Sequence, residues 1–568
     1  WIDLLAGTDY AVPQHVLDLM ADYMLGGTRW MIRGDLLELA DGYKGSGKNA
    51  SGYIEPLQRM VKNDPKNAAE YQKVLDSITG ASGTTYNGAN GSNYMWTSAL
   101  MSHMREGYGV NVRMNHKGMK STEWRATWPK TDFGNLIFWT ADATASIMID
   151  GDEYNSVYNT YDWRHVPGVT APFVLATHYG FDNDSNDCWG VTNGTYGATA
   201  YTFNKHDGTN KRTQGKVGYF FFDDEYVALG AGIRANHEQA IHTTLNQTKA
   251  ADVSVNGTAV ADGADDEVYQ AEYVYNNQIG YVFPQQTEVH LSNLNHTPKK
   301  YPTVRGNGYS DLSEDRFGET EESTFSLWLD HGVQPQDASY SYIVVPNTTE
   351  EELAAYNKNN QITIVANTER VQAVRHEGLK QTQINFYEAG TLEYAEGKTV
   401  SVDGPCSLII DETGRDPIIS EAVSNTRPNT MVNVVLTTSD ANTVTEFCSL
   451  SEPYAGKSIT QSAGGSSLMQ SSATTPEHGA AKAFDKNLET YWESDEAPAW
   501  ICYDMREDLY VGSMTIRWGE AYATKYELQY SEDGVNWQTA YAQETGKGGT
   551  ETVSFNTISR YWRLWCTE

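Results

Sequence analysis

The sequence predicts a mainly β protein with an N-terminal α part. Three features carry this reading. Helical spacing of apolar residues is confined to the stretch before about residue 80, a period of two runs from about 90 to about 450, and hairpin signals resume after a Ser- and Gly-rich stretch. At 568 residues the chain is too long for one core and points to three or four domains.

The first helix is expected after Pro13, where Val16, Leu19, Met20, Tyr23 and Met24 repeat at helical spacing until Gly26 and Gly27. A second is expected over Trp30 to Leu39. A third follows Ala68, Tyr71, Val74, Leu75 and Ile78 to Gly80. Such helix pairs lack the partners to close a domain, so a further helical part is expected upstream. The chain opens with Trp1 and shows no basic leader or cleavage site, as a trimmed or processed end would.

The β region contains one strong hairpin, Lys216–Phe222 and Glu225–Gly230 about Asp223-Asp224. Short strands continue with turn signals between them, as in stacked antiparallel sheets. Glu350 to Asn357 reads as a short helical turn, and a polar break between Asn367 and Gly378 as the start of a smaller sandwich. Ile459 to Ser472 reads as a linker. Beyond it, Ser531-Glu-Asp-Gly marks another hairpin. The predicted domains are 1–88, 89–368, 369–456 and 457–568.

Net charge is -33, which excludes a nucleic-acid partner, since that needs a basic footprint. No apolar run is long enough to span a membrane. Whole-chain charge governs solubility more than a local site. Met101 to Lys130 runs against it, with Arg105, Arg113, Lys117, Lys120, Arg125 and Lys130 opposed only by Glu106 and Glu123. A basic island in an acidic protein is where an anionic substrate is expected. Tyr (36) and Trp (15) are abundant, and their flat faces with polar tips suit carbohydrate. None of the five Cys forms a Cys-x-x-Cys; Cys502 and Cys566 share one module, and free thiols are favoured over a bridge.

Several stretches resemble the family of hyaluronate, chondroitin and xanthan lyases, polysaccharide lyase family eight. They are the Lys216 hairpin with its Leu-Gly-Ala-Gly-Ile strand, Thr243-Thr-Leu-Asn-Gln, Leu329-Asp-His-Gly, Tyr340 to Pro346, Arg164-His-Val-Pro-Gly-Val-Thr, and Gly190-Val-Thr-Asn-Gly-Thr-Tyr-Gly. The resemblance implies the end of an (α/α) toroid, then antiparallel β-sandwich domains. The last stretch resembles the discoidin, or coagulation-factor, type of carbohydrate-binding module, through Ala483-Phe-Asp-Lys-Asn-Leu-Glu-Thr-Tyr-Trp, Trp500-Ile-Cys-Tyr-Asp and Arg560-Tyr-Trp-Arg-Leu. There Trp492 and Trp500 are expected in the core. The resemblance also implies one structural calcium held by Asp485, Asn487, Thr490 and Glu568, since calcium takes several oxygen ligands.

The family cleaves a uronate glycan by β-elimination. The carboxylate is neutralised so that the adjacent C–H becomes acidic, that proton is removed, and the leaving oxygen is protonated. The resemblance places the family's Asn, His and Tyr upstream of residue 1. Its supporting Glu maps to Glu123. Its Gly-Arg-x-x-Ser-Arg segment maps onto Arg33 to Lys48, where Tyr43 and Gly47 replace both arginines and Lys44 or Lys48 supplies charge without the guanidinium fork. Catalytic candidates are therefore Glu123 and Tyr43, and substrate contacts Arg113, Arg125, Lys44 and Asn115.

The expected function is a lyase acting on an acidic polysaccharide, glycosaminoglycans foremost, in a secreted, periplasmic or cell-surface bacterial protein. Two other readings stand beside it. The lost arginines fit a non-catalytic glycan-binding protein. A glycoside hydrolase or phosphorylase would need a carboxylate pair drawn from Glu123, Asp132 and Asp142.

Overall fold

The computed structural model describes the chain outside residue 1, residues 38–47, 120–141, 155–161, 163, 175–182, 207–209, 295–301, 306–307 and 312–322, and shorter stretches at 415–416, 429, 439–441, 451–452, 464–468, 473–477, 479, 485–487, 495–496 and 535. The chain divides into two compact units: residues 1–387 with 407–413, and residues 388–406 with 414–568.

The first unit begins with helices α1 (Gln14–Ala21), α2 (Ile54–Asn63) and α3 (Ala68–Thr79), which bury Leu17, Leu57, Met60, Tyr71, Val74 and Ile78 against one another. Gly80 ends α3 in the left-handed conformation, φ 68°, as its sequence position predicts. The helix expected over Trp30 to Leu39 does not form. A 3₁₀ turn at Thr28–Met31 gives way to two short strands, Ile32–Arg33 and Leu36–Leu37, the second pairing with Lys48–Asn49. The reason is Gly34. Its φ is +54°, and a Cβ there would stand 2.4 Å from the Asp150 carbonyl oxygen, so the chain turns where a helix would continue.

A four-stranded antiparallel sheet follows: β1 (Gly91–Met95), β2 (Leu100–Met104), β3 (Gly109–Arg113) and β4 (Thr144–Met148). The large sheet is built from β5 (Thr170–Pro172), β6 (Cys188–Thr192), β7 (Gly197–His206), β8 (Arg212–Phe221), β9 (Tyr226–Ala235), β10 (Ala240–Lys249), β11 (Ala264–Asn276), β12 (Ile279–Leu294), β13 (Thr324–Val333) and β14 (Ala338–Pro346). Its main path runs β11-β12-β14-β9-β8-β7-β6, while β10 pairs with β5 and β13. Strand β12 joins two layers. Its first residues pair with β14 (Ile279 opposite Pro346) and its last with β13 (Leu294 opposite Thr324).

Tyr201, Tyr219, Phe221, Tyr226, Tyr281 and Tyr342 fill the core with Val110, Val112, Ala145 and Ile147 from the smaller sheet. The Lys216 hairpin is β8–β9, with Phe221 opposite Tyr226. Its unbroken apolar run reflects burial on both faces. On the far side, strands Val371–His376 and Gln381–Phe386 dock by carboxamides: Gln383 donates to Phe221 O (2.9 Å), Asn385 to Thr199 O (2.7 Å) and Gln372 to Leu229 O (3.2 Å). The close approach requires Gly218, where a Cβ would meet Asn385 and Gln372 at 2.7 Å. The residues expected to begin a smaller sandwich thus complete this unit. Glu350–Asn359 is an α-helix with a Thr349–Glu352 capping box.

The second unit contains a sheet of Gly390–Ala395, Lys398–Val402, Met431–Thr437 and Asn442–Cys448. Part of the expected linker is strand: Ile459–Ser462 pairs with Ile418–Ala422. The terminal module is built on the long strands Ala499–Arg517 and Thr550–Cys566, with Tyr526–Ser531 and Gln538–Gln543 forming the predicted hairpin. Tyr526, Leu528 and Val553 are its core. Trp500 is half-buried and lies opposite Trp565, in register positions that alternate with the core residues Leu564 and Cys566. Cys502 and Cys566 are free thiols.

Candidate active site

Of the predicted catalytic and substrate residues, Tyr43, Lys44, Glu123 and Arg125 lie outside the described residues. The structure describes Arg113 and Asn115, together with the anchors of the two segments that carry the other four.

The anchor of the first segment is Arg33. Buried at 4% exposure, it donates from Nε to Ile149 O (2.8 Å), from Nη1 to Arg105 O (3.0 Å) and from Nη2 to Glu106 O (2.7 Å). Burial pulls its pKa down to about 10, still far above neutrality. The carbonyls it binds are held in turn by Glu153, whose carboxyl accepts from the backbone N–H of Ile149, Asp150 and Gly151 at 2.7–3.1 Å. Gly151 has φ +88° and leaves no room for a Cβ beside Arg33 O. The base of the 38–47 hairpin is thus pinned to the ends of β2 and β4.

The second segment, 120–141, leaves from the end of β3 and returns at Asp142. Lys117 N donates to Ser185 O (2.7 Å) and Met119 N to His116 O (2.9 Å) on the outgoing side. On the return side Asp142 forms a buried ion pair with Lys205 of β7, both side chains 5% exposed. Asn115 closes the group. Its Nδ2 donates to Asp142 Oδ1 (2.5 Å), its Oδ1 accepts from Lys205 Nζ (3.4 Å) and Tyr201 OH (3.4 Å), and its carbonyl accepts from Asn183 (3.3 Å). Tyr201 also donates to Asp142 Oδ1 (3.2 Å). Burial and the Asp142 charge raise the Tyr201 pKa, so it acts here as a donor and not as a base.

Asn115 is fully buried and turned into this cluster. Arg113, two residues earlier on β3, is half-buried and lies between Leu100 and Thr144. Asp142 is the described member of the carboxylate set that a hydrolase would need, and its Oδ1 is engaged by Lys205, Asn115 and Tyr201. Sequence reasoning missed Lys205. In Phe203-Asn-Lys-His it looks like an ordinary charge near a strand end, but it shares a face with Tyr201 and Phe203, both core residues.

The motifs that carry the resemblance converge elsewhere in this unit. Gln247 Nε2 donates to Asp162 O (3.0 Å) and His165 O (2.6 Å), and Gly168 N donates to Thr244 O (2.7 Å), which fixes the Arg164-His-Val-Pro-Gly turn on β10. Thr243 Oγ1 shares hydrogen bonds with His331 Nε2 and Thr170 Oγ1, both 2.7 Å. His165 stacks between Phe173 (4.9 Å) and Trp328 (4.4 Å), and its Nε2 lies 3.0 Å from His242 Nδ1. Burial lowers the His165 pKa to about 3, so the ring is neutral. These motifs hold the sandwich together.

In the terminal module, Asp485 and Asn487 lie outside the described residues, and Thr490 is half-buried. The Glu568 carboxylate accepts from Lys525 Nζ (2.6 Å), and its backbone oxygen from Thr524 N (2.7 Å). Among the described residues no cluster of three His, Cys, Asp or Glu side chains is placed to hold a metal.

Residues 90–357 match the super-sandwich domain of polysaccharide lyase family 8, and residues 363–425 match its C-terminal β-sandwich domain. The chain belongs to that family. Residues 467–568 match the F5/8 type C domain. Among curated family 8 relatives, chondroitinase-AC of Pedobacter heparinus is 30% identical over 334 residues, 57% of this chain and 45% of the relative. A hyaluronate lyase of Thermasporomyces composti is 27% identical over 292 residues, 49% of this chain and 35% of the relative. The chain therefore spans less than half the length of these relatives. The fold agrees with solved family structures. A chondroitinase AC lyase superposes with TM-score 0.70 at 24% identity, over 81% of this chain and 67% of that one. A Paenibacillus xanthan lyase superposes with TM-score 0.68 at 18% identity, over 100% and 62%. Among the described residues no helix is long and apolar enough to cross a membrane.

Proposed function

We propose that the protein is a lyase that cleaves a uronate-containing glycosaminoglycan, of the chondroitin, dermatan or hyaluronan type, by β-elimination. The observation that carries this reading is the 30% identity to a chondroitinase-AC over a stretch that includes the super-sandwich domain. The principal Asn, His and Tyr of the reaction are assigned to sequence before Trp1. Arg113 and Arg125 are proposed to offset the uronate charge, with Lys44 adding to the field. Glu123 holds the cation beside the phenol that serves as base and acid, and Tyr43 lines the same cleft. Asn115 is assigned to shaping: its contacts with Asp142 and Lys205 fix the departure and return of the segment that bears Glu123 and Arg125. The terminal module is proposed to bind glycan and to take one structural calcium through Asp485, Asn487, Thr490 and Glu568, the last released from Lys525. A bacterial protein exported to the periplasm, the cell surface or the medium suits such a substrate.

The test is to incubate the intact protein with chondroitin sulfate, dermatan sulfate and hyaluronan and to follow ultraviolet absorbance of an unsaturated uronate. A rise that Glu123→Gln abolishes is expected. A flat trace with folded protein on all three polymers overturns the glycosaminoglycan assignment.

A further inference from the structure

The sheet β1–β4 turns one face to the aromatic core and presents the other to a different environment. On that second face the register sets Asn93 opposite Ser102, Ser102 opposite Asn111, and Asn111 opposite Ser146. Directly opposed residues share a face, so these four polar side chains form one row across all four strands. Ser102 and Asn111 are 0% and 1% exposed. Among the described residues, the Ser102 hydroxyl and both polar atoms of the Asn111 carboxamide have no hydrogen-bond partner. Three buried polar atoms left unpaired are costly, and native structures keep few of them without a reason.

The neighbouring rows on this face give the reason a shape. On one side lie Gly91, Met104, Gly109 and Met148; on the other Met95, Leu100, Arg113 and Thr144. Arg113 and Thr144 are half-buried, so the polar row lies one step inside a row that solvent reaches. That step along β3, from Arg113 to Asn111, is about 7 Å. The row itself carries no charge; the guanidinium stands beside it. A carboxamide offers one donor face and one acceptor face in a plane, which matches the C=O and N–H of an acetamide, and the flanking hydroxyls can give or take a bond.

We propose that Ser102, Asn111 and Ser146 form a glycan subsite that takes the acetamido group of an N-acetylhexosamine, while Arg113 faces the acidic group of the adjoining unit. This rests on the lyase reading above and narrows it to polymers that alternate acidic and acetamido sugars. The segment Thr28–Met31 packs on β2, and Asn93 Nδ2 donates to Gly26 O (3.1 Å), so binding opens this contact to admit the sugar.

The experiment compares Asn111→Leu and Ser102→Ala with the wild type in the intact protein, on chondroitin and on the same polymer chemically de-N-acetylated. Asn111→Leu is expected to lower kcat/KM on chondroitin at least about tenfold, the loss of one well-paired polar contact, and to leave the de-N-acetylated polymer unaffected. Ser102→Ala, a smaller change that keeps the fold, shifts the same ratio in the same direction. Neither lowers Tm, because each removes a polar atom that had no partner. An equal loss on both polymers, or none on either, overturns the subsite. If the wild type forms no unsaturated product, the lyase reading fails separately. Retardation in gels containing each polymer then decides the subsite: a preference for the acetylated form that Asn111→Leu removes upholds it, and equal retardation overturns it.

Discussion

Lys205 and Asp142 form an ion pair in which both side chains are 5% exposed, with Asn115 and Tyr201 supplying the remaining hydrogen bonds to the carboxylate. Such a pair offsets its own desolvation only while every member is present. Lys205→Met leaves Asp142 charged and buried, and is expected to cost about 3–5 kcal/mol. Lys205→Met with Asp142→Leu is expected to recover much of that loss. Urea unfolding of the single and double variants measures both. Equal destabilisation by the two would show that the pair's surroundings, and not its charge balance, set its value.

The sequence was informative where one rule acted alone. The Lys216 hairpin, the Gly80 helix stop and the Ser531 hairpin rest on turn chemistry and local periodicity, and they form as expected. It was less informative where partners come from far along the chain. Nothing near Trp30 to Leu39 forecasts the Asp150 carbonyl that stands against Gly34 and ends the helical pattern. Asn115 reads as a substrate contact beside Arg113, but the strand ends at Arg113 and the next residues turn inward toward Lys205, some ninety positions away. The Ser102–Asn111 row was present as an alternation, Val110, Val112 and Met114 against Asn111 and Arg113. Only the register shows that its neighbours are polar too.

Calcium binding by the terminal module would show first as stability. If Asp485, Asn487, Thr490 and Glu568 hold the ion, adding calcium to chelator-treated protein is expected to raise that module's Tm, by about 2.7 kcal/mol at a hundred times Kd. Glu568→Gln should remove most of the gain, since a carboxamide is a weaker ligand than a carboxylate. Scanning calorimetry with calcium and with chelator makes the comparison. An unchanged Tm in the wild type would leave Glu568 as the partner of Lys525 alone.

His165 sets a limit on the acid side. Burial lowers its pKa to about 3 in the folded protein, against about 6.5 unfolded. A base with a depressed folded pKa contributes stability that is present above the unfolded value. That stability is lost as pH falls, because the unfolded chain takes up a proton that the native ring refuses. The slope is about 1.4 kcal/mol per pH unit between those two values. His165→Phe keeps a flat ring between Phe173 and Trp328 and removes the titration. It loses the bond to His242, so its stability at pH 7 falls, but its decline from pH 7 to pH 5 should be shallower than the wild type's. Urea midpoints at the two pH values test this. Parallel declines would mean that His165 protonates without opening the stack.

Glu421 acts in the opposite direction, in the second unit. Its carboxyl is 1% exposed, Oε1 has no hydrogen-bond partner among the described residues, and burial pushes its pKa up to about 8. A raised folded pKa means that stability is fully present below the unfolded value near 4.3 and is lost as pH rises toward about 8, since the unfolded chain releases a proton that the native carboxyl keeps. The total loss across that window is a few kcal/mol, at about 1.4 per unit. Glu421→Gln preserves the shape and cannot ionise. It is expected to be close to the wild type at pH 4.5 and clearly more stable at pH 8, with a Tm of the second unit that barely changes between them. Calorimetry at both pH values distinguishes the cases. A wild-type Tm as flat as the variant's would mean that water or a rearranged neighbour reaches Oε1 and that the carboxylate is tolerated in place.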